Sequence, residues 1–245
     1  MRRYPADPPP QANSAAGPGV LPRLHGWAAA VFLAATSVIA PAAMPFPIPF
    51  AMPFSKQLPV ASAAACPGAE VVFARGREEP PGVGYVGDAF VNALRAKVHA
   101  PVGSYGVNYP ADVSPAEGAN DMSAHVQSMA RSCPNTREVL GGYSLGAAAA
   151  DLVVAMTQPA FGFTDPLPPR LDQHVAAVAL FGNGTRRVLG PVPDFSPAFA
   201  GKTIDQCASG DPICSNGTQW SSHLQPSYIN SGLVDQAASF AAGKL

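Results

Sequence analysis

From residue 66 onward the chain predicts an α/β fold: a mainly parallel central sheet covered by helices on both faces. Two observations carry this. Short apolar runs of strand length alternate with segments whose apolar residues recur at helical spacing. One of those runs leads into Gly142-Tyr143-Ser144-Leu145-Gly146, a G-x-S-x-G sequence set between a strand and a helix.

Taken in order, Val71-Val72-Phe73 make Glu70 to Ala74 a buried strand, which runs into the charged, proline-containing loop Arg75 to Gly82. Gly87 to Val98 spaces Phe90, Val91, Leu94 and Val98 for one face of a helix. Val102 to Tyr109 is the second strand, stopped by Pro110. Ala116 to Ser132 sets Met122, Val126 and Met129 on one side of an amphipathic helix. Val139-Leu140 mark a strand within Arg137 to Gly141, and Ala147 to Met156, Ala-rich and free of Gly and Pro, continues as a helix. Beyond the break from Pro159 to Pro169, His174 to Phe181 forms a strand and Lys202 to Cys207 a short last one. Val234 to Ala242 is a closing helix, and no internal repeat is visible.

Composition divides the chain into an expected leader, residues 1–65, and one domain, residues 66–245. Charged residues make up only 13%, against 28 prolines concentrated toward the start. Arg2, Arg3 and Arg23 precede Gly26 to Ala40, an apolar run that ends at Pro41, is short for a membrane span and suits an export signal. Ala61-Ser62-Ala63 and Ala63-Ala64-Ala65 offer small residues to a signal peptidase. Before them, the Met/Phe-Pro pairs of Pro41 to Pro59 hold neither helix nor strand. Cleavage nearer Ala40 to Ala43, leaving a proline-rich tether, and an uncleaved anchor are the competing versions; all three export the chain. A net charge of -1 and a pI near 6.5 leave no electrostatic footprint for nucleic acid.

Four cysteines, all from Cys66 onward, fit an exported chain and allow three disulfide connectivities. Cys207 and Cys214 enclose a Ser-Gly-Asp-Pro turn and are near enough to pair locally, which leaves Cys66 with Cys133. By chain entropy the long closure contributes about 4 kcal/mol and the short one about 2–3 kcal/mol. These spacings, with no neighbouring histidines, argue against zinc, and no metal is expected. Asn183-Gly184-Thr185 and Asn216-Gly217-Thr218 match glycosylation sequons, which Asn-Gly turns explain as simply.

Ser144 reads as a nucleophile. A bare G-x-S-x-G arises easily in a Gly- and Ala-rich chain, but between a strand and a helix it exposes the hydroxyl on a strained turn. There the helix N-terminus faces the oxygen that becomes negative in acyl transfer. The partners should follow in the order acid, then histidine. His174 lies at the amino end of its strand, the wrong edge of the sheet, whereas His223 lies in a loop after the last strand. Asp151, Asp165, Asp172 and Asp194 have ordinary roles as helix, turn or cap residues, and Asp205 lies inside the last strand. Asp211, inside the Cys207–Cys214 loop, is the expected acid, since a carboxylate that fixes an imidazole tautomer gains from rigidity.

Gly141-Gly142-Tyr143-Ser144, the Ala74-Arg75-Gly76 loop, Cys207 to Cys214 around Gly210-Asp211, and the downstream His223 together resemble the cutinases. Within them they are similar to the serine esterases exported by mycobacteria and relatives. The resemblance runs from about Cys66 to the C-terminus, with every motif in order. It implies a compact α/β-hydrolase fold without a large lid, the same two disulfides, and hydrolysis of carboxylic esters with no cofactor. It also implies an exposed site open to short- to medium-chain acyl esters, lipids or polyesters, in a monomer that is secreted or held at the cell envelope. Lipase, phospholipase or thioesterase action on envelope lipids is the enzymatic alternative; a weakly active lipid-binding or structural surface protein is the non-catalytic one.

Two positions depart from the family pattern. Leu145 stands where Gln is common after the nucleophile, and its backbone N–H serves the oxyanion equally well. Arg77 stands where Ser or Thr usually follows Ala-Arg-Gly, so the implied oxyanion hole keeps the N–H groups of Arg77 and Leu145 and lacks a hydroxyl. Loss of such a donor costs on the order of 100-fold in turnover. Arg77 is expected to meet an anionic lipid or to point to solvent and pair with Glu78 or Glu79.

Overall fold

The computed structural model describes residues 65–245, so the expected leader, with its signal and cleavage sites, lies outside the described residues but for Ala65. Five strands form one sheet: β1 (Ala69–Ala74), β2 (Val102–Gly106), β3 (Arg137–Tyr143), β4 (Val175–Phe181) and β5 (Thr203–Gln206). Every pairing is parallel and the order is β2-β1-β3-β4-β5. The chain therefore steps outward from β1 to β2, returns past β1 to β3, and continues to β5. Where the order reverses, between β1 and β3, a parallel sheet opens a crevice at its carboxyl edge.

Eight α-helices and two short 3₁₀ turns, Leu171–His174 and Trp220–His223, complete the described residues: α1 (Gly84–Arg95), α2 (Ala116–Ser132), α3 (Leu145–Ala155), α4 (Arg186–Leu189), α5 (Val192–Phe195), α6 (Pro197–Ala200), α7 (Pro226–Ile229) and α8 (Leu233–Ala242). Strand side chains alternate between two cores. Val72, Leu140, Val178 and Leu180 pack with Met122 and Val126 of α2 and Val153 of α3. Val71, Phe73, Val139 and Phe181 pack on the other face with Phe90 and Leu94 of α1 and Val234 and Ala241 of α8. All seven residues of β4 are buried, as a strand covered on both faces requires. Cys66 is bonded to Cys133 and Cys207 to Cys214.

Each expected strand and long helix is present, and the boundaries move for identifiable reasons. α1 begins at Gly84 rather than Gly87, because the Glu79 carboxylate accepts the Tyr85 N–H at 3.0 Å and so satisfies an otherwise orphaned donor of the first turn. β2 ends at Gly106, short of Tyr109. Beyond it the Arg75 guanidinium takes the carbonyls of Tyr109 at 2.7 Å and Pro110 at 3.2 Å, drawing the backbone off the sheet. The short helices between Arg186 and Ala200 had no periodic signal, being a single turn each and broken by Gly190, Pro191 and Ser196.

Candidate active site

Ser144 is the turn itself. It caps α3 with φ 55° and ψ -116°, a backbone state that a non-glycine residue adopts only under constraint. Its N–H donates to the Phe181 carbonyl at 2.9 Å, tying the turn to the end of β4. The flanking glycines are required by close approach. A Cβ at Gly142 would collide with the Gly146 carbonyl, and one at Gly146 with the Ala74 carbonyl. The strand, the helix and the end of β1 thus meet backbone to backbone, and the hydroxyl is left facing outward.

Three expected residues come together there. Ser144 Oγ lies 2.8 Å from His223 Nε2, and His223 Nδ1 lies 2.7 Å from Asp211 Oδ2. His223 ends a short 3₁₀ turn, Trp220–His223, and is buried; Asp211 is 0% exposed. Burial alone would raise the Asp211 carboxyl, but hydrogen bonds from the Tyr228 hydroxyl, His223 and the Ile213 N–H outweigh it and hold the group below its ordinary value. It is thus a fixed anion beside the imidazole. His174 stands at the amino end of β4, on the far edge of the sheet.

Sequence reading saw only the disulfide as a fixture for Asp211, whereas the structure adds two hydrogen bonds. The fully buried Tyr228 hydroxyl donates to its carboxylate, and the Ile213 N–H donates to Oδ1 at 2.7 Å. Tyr143, the variable residue inside G-x-S-x-G, was also passed over. Its hydroxyl donates to the His223 carbonyl, and its ring stacks on the imidazole at 5.5 Å. No sequence signal marks a tyrosine hydroxyl whose partner is distant along the chain; Tyr143 at least stood in the motif.

The two expected oxyanion donors both line the cleft beside Ser144. Leu145 is the first residue of α3, so its N–H has no intrahelical acceptor. In the loop after β1, the N–H groups of Gly76, Glu78 and Glu79 are all used, while among the described residues the Arg77 N–H has no partner. That loop is held from beneath. Buried Arg75 donates to the Glu79 carbonyl at 2.9 Å, and the Glu79 carboxylate accepts the Gly76 N–H at 2.6 Å. Burial raises the Glu79 carboxyl against its backbone hydrogen bonds. Pairing of Arg77 with Glu79 is therefore corrected: Glu79 is sequestered, and exposed Arg77 makes no ion pair among the described residues.

The cleft encloses about 1040 Å³, and Leu145, Val188, Leu189, Ile213, Trp220 and Leu224 are among its apolar lining. Val188 and Phe161 are more than four-fifths exposed at its mouth. A hydroxyl on a strained turn, an imidazole, a fixed carboxylate and free N–H groups at the head of an apolar cleft are the parts that an acyl-transfer site needs.

The family model for cutinases matches residues 65–245. The chain belongs to the cutinase family. It is a carboxylic ester hydrolase of the serine type on the cutinase fold. It is 59% identical over 190 residues to the probable carboxylesterase Culp2 of Mycobacterium tuberculosis, covering 75% of this chain and 82% of the relative. To the phospholipase Culp4 of the same organism it is 48% identical over 230 residues, covering 93% and 94%. Among solved structures it is similar to a Trichoderma reesei cutinase bound to a phosphonate inhibitor, with TM-score 0.57, 31% identity and 73% and 76% coverage. The catalytic core of the Trichoderma reesei acetyl xylan esterase gives TM-score 0.62 at 25% identity, covering 74% of this cutinase and 100% of that chain.

Proposed function

We propose that Ser144, His223 and Asp211 are the catalytic triad of this cutinase, and that the N–H groups of Arg77 and Leu145 form its oxyanion hole. His223 Nε2 takes the Ser144 proton as Oγ attacks the ester carbonyl, and Asp211 stabilises the resulting imidazolium. The carbonyl oxygen becomes an anion between the two N–H groups, one of them at the positive end of α3. His223 returns the proton to the departing alcohol, and water then releases the acyl group by the same route. The observation that carries this reading is the relay of 2.8 and 2.7 Å at the head of an apolar cleft.

The apolar lining suits short- to medium-chain acyl groups, and the exposed Phe161 and Val188 suit an ester presented at a lipid or polyester surface. An export leader over residues 1–65, ahead of the hydrolase domain over 66–245, and two disulfides fit a protein secreted or held at the cell envelope and acting as a monomer. Turnover of p-nitrophenyl esters of graded chain length tests the reading, with Ser144→Ala as control. The expected result is loss of all but about a thousandth of the activity. A variant keeping more than that would remove Ser144 from the mechanism.

One observation favours a phospholipase reading: Arg77 is a cation on the cleft rim with no ion pair among the described residues, although Glu78 beside it tempers the charge. On that reading Arg77→Thr raises KM for anionic phospholipids several-fold, an effect that shrinks with salt, and leaves KM for neutral esters alone. Equal changes on both substrates would return Arg77 to a solvated role.

A further inference from the structure

Behind the apolar wall of the cleft lies a buried acidic network that ester hydrolysis does not use. Asp151, in the second turn of α3, is 2% exposed. Its Oδ2 accepts the Asn183 side-chain amide at 2.7 Å and the Thr185 hydroxyl, while among the described residues Oδ1 has no partner. Asn183 is 1% exposed, and its Nδ2 also reaches Asp205 Oδ2 on β5 at 3.4 Å. Asp205 Oδ1 makes no hydrogen bond among the described residues, but lies at ion-pair distance, 3.4 Å, from Arg186 Nη1. Two carboxylates from different elements therefore share one amide, and the Asn183 side chain, which also fits a sequon, is spent inside the protein.

The hooked residues open the segment that forms one wall of the cleft. Gly184, Thr185, Val188 and Leu189 all line it. α4, which carries Val188 and Leu189, is one turn long and buries none of its residues, so its few backbone hydrogen bonds, such as Leu189 N–H to the Thr185 carbonyl at 2.8 Å, are not backed by packing. Its fixtures are Asn183, Thr185 and Arg186 on this network, together with Arg187, which donates to the Pro212 carbonyl at 2.8 Å and to Asn216 at 3.3 Å.

We propose that Asp151, acting with Asn183 and Asp205, is a positioning residue for chain-length selection: it anchors the Gly184–Leu189 wall to the nucleophile helix. The inference rests on the serine-esterase reading and deepens it. A short acyl group that does not reach Val188 and Leu189 is indifferent to the anchor, and a long one depends on it. The charged groups facing one another here are Asp151 from α3, Asp205 from β5 and Arg186 from α4. Burial raises the Asp205 carboxyl to about 6, with Arg186 lowering it, Asp151 raising it and the Asn183 hydrogen bond lowering it. As pH falls through that value Asp205 takes a proton, its pairing with Arg186 is lost, and the wall loosens.

The test compares kcat and KM for p-nitrophenyl acetate and p-nitrophenyl decanoate across pH in the wild type, Asp151→Asn and Asp205→Asn. Taking the ratio of kcat/KM for the two esters cancels the titration of the triad itself. For Asp151→Asn the side-chain oxygen still accepts the bonds made to Oδ2, but as a neutral acceptor, so the decanoate-to-acetate ratio should fall several-fold, through KM for decanoate. Its kcat on acetate should stay within about twofold. In the wild type the ratio should drop as pH falls through about 6, and Asp205→Asn should hold it at the acid value throughout. If Asp151→Asn does not fold, the wild-type step and its loss in Asp205→Asn decide the matter. Ser144-dependent turnover with an unaltered ratio, or with both esters falling in parallel, overturns the inference alone. Absence of Ser144-dependent turnover overturns the esterase reading and the inference with it.

Discussion

Two histidine–carboxylate pairs stand at opposite edges of the sheet, and both are 2.7 Å long: His223 with Asp211 at the carboxyl edge, His125 with Glu70 at the amino edge. Their surroundings differ. Asp211 receives the Tyr228 hydroxyl and the Ile213 N–H, and its histidine offers the second nitrogen to a serine on a strained turn. His125 instead stacks flat on Tyr105 at 3.6 Å, and among the described residues its only hydrogen-bond partner is Glu70. A second carboxyl, Glu138, lies opposite Glu70 in the register of β1 and β3, with neither oxygen partnered among the described residues. An imidazole held by a carboxylate is thus a common structural motif. It becomes chemistry where a strand end delivers a hydroxyl to it.

The largest expected effect breaks the comparison outright. On the proposed triad, His223→Ala and Asp211→Asn should each cost on the order of 10³–10⁴ in kcat on a simple ester. His125→Ala should leave kcat within about twofold, and His174→Ala likewise. A dead His125 variant that still folds by circular dichroism would mean that the amino-edge pair takes part in the reaction.

How much of this was legible in the sequence follows from how local each signal was. The G-x-S-x-G turn is five consecutive residues whose glycines answer to local sterics, so Ser144 could be read directly. Chain order, a bracketing disulfide and the rule that parallel sheets work at their carboxyl edge point to Asp211 and His223, which the structure brings together beside Ser144. Tyr228, Tyr143, Arg75 and Glu79 were not found, because each acts through a hydrogen bond whose partner is set by tertiary packing. The Asp151 network was passed over for a related reason. An aspartate in a helix has a bland account until the loop after β4 folds over it.

A smaller effect sharpens the comparison at Tyr228. Removing its hydroxyl with Tyr228→Phe keeps the buried ring, which packs on Phe181 at 6.3 Å, and deletes a donor to the Asp211 carboxylate. Hydrogen bonds to buried charged groups contribute about 1.5–3 kcal/mol, so a loss of roughly tenfold in kcat is expected with KM little changed. Steady-state kinetics on p-nitrophenyl butyrate check it. Unchanged kcat would show that the disulfide loop and the Ile213 N–H suffice to hold the acid.

The smallest effect on turnover comes from Glu138, at the amino edge, where stability rather than catalysis should respond. Its carboxyl is 1% exposed, and burial, aided by the charge of Glu70, raises it from 4.5 to about 8. A carboxyl raised in the folded state keeps its proton there while the unfolded chain has already released it. The folded state then binds more protons between those two values, and stability falls as pH rises through that window. The loss is at most about 1.4 kcal/mol per pH unit and roughly 2–5 kcal/mol in all, levelling off above the folded value. Glu138→Gln cannot ionise and removes this slope. Urea midpoints measured from acid to alkaline pH should show the variant gaining on the wild type as pH rises, then running parallel to it above about 8. Its kcat should stay within about twofold, because Glu138 lies at the sheet edge opposite Ser144. A stability difference that does not vary with pH would mean that Glu138 is ionised in the fold, held by a partner that balances the Glu70 charge. The amino edge would then match the carboxyl edge in holding a fixed anion, and only the serine would distinguish the two.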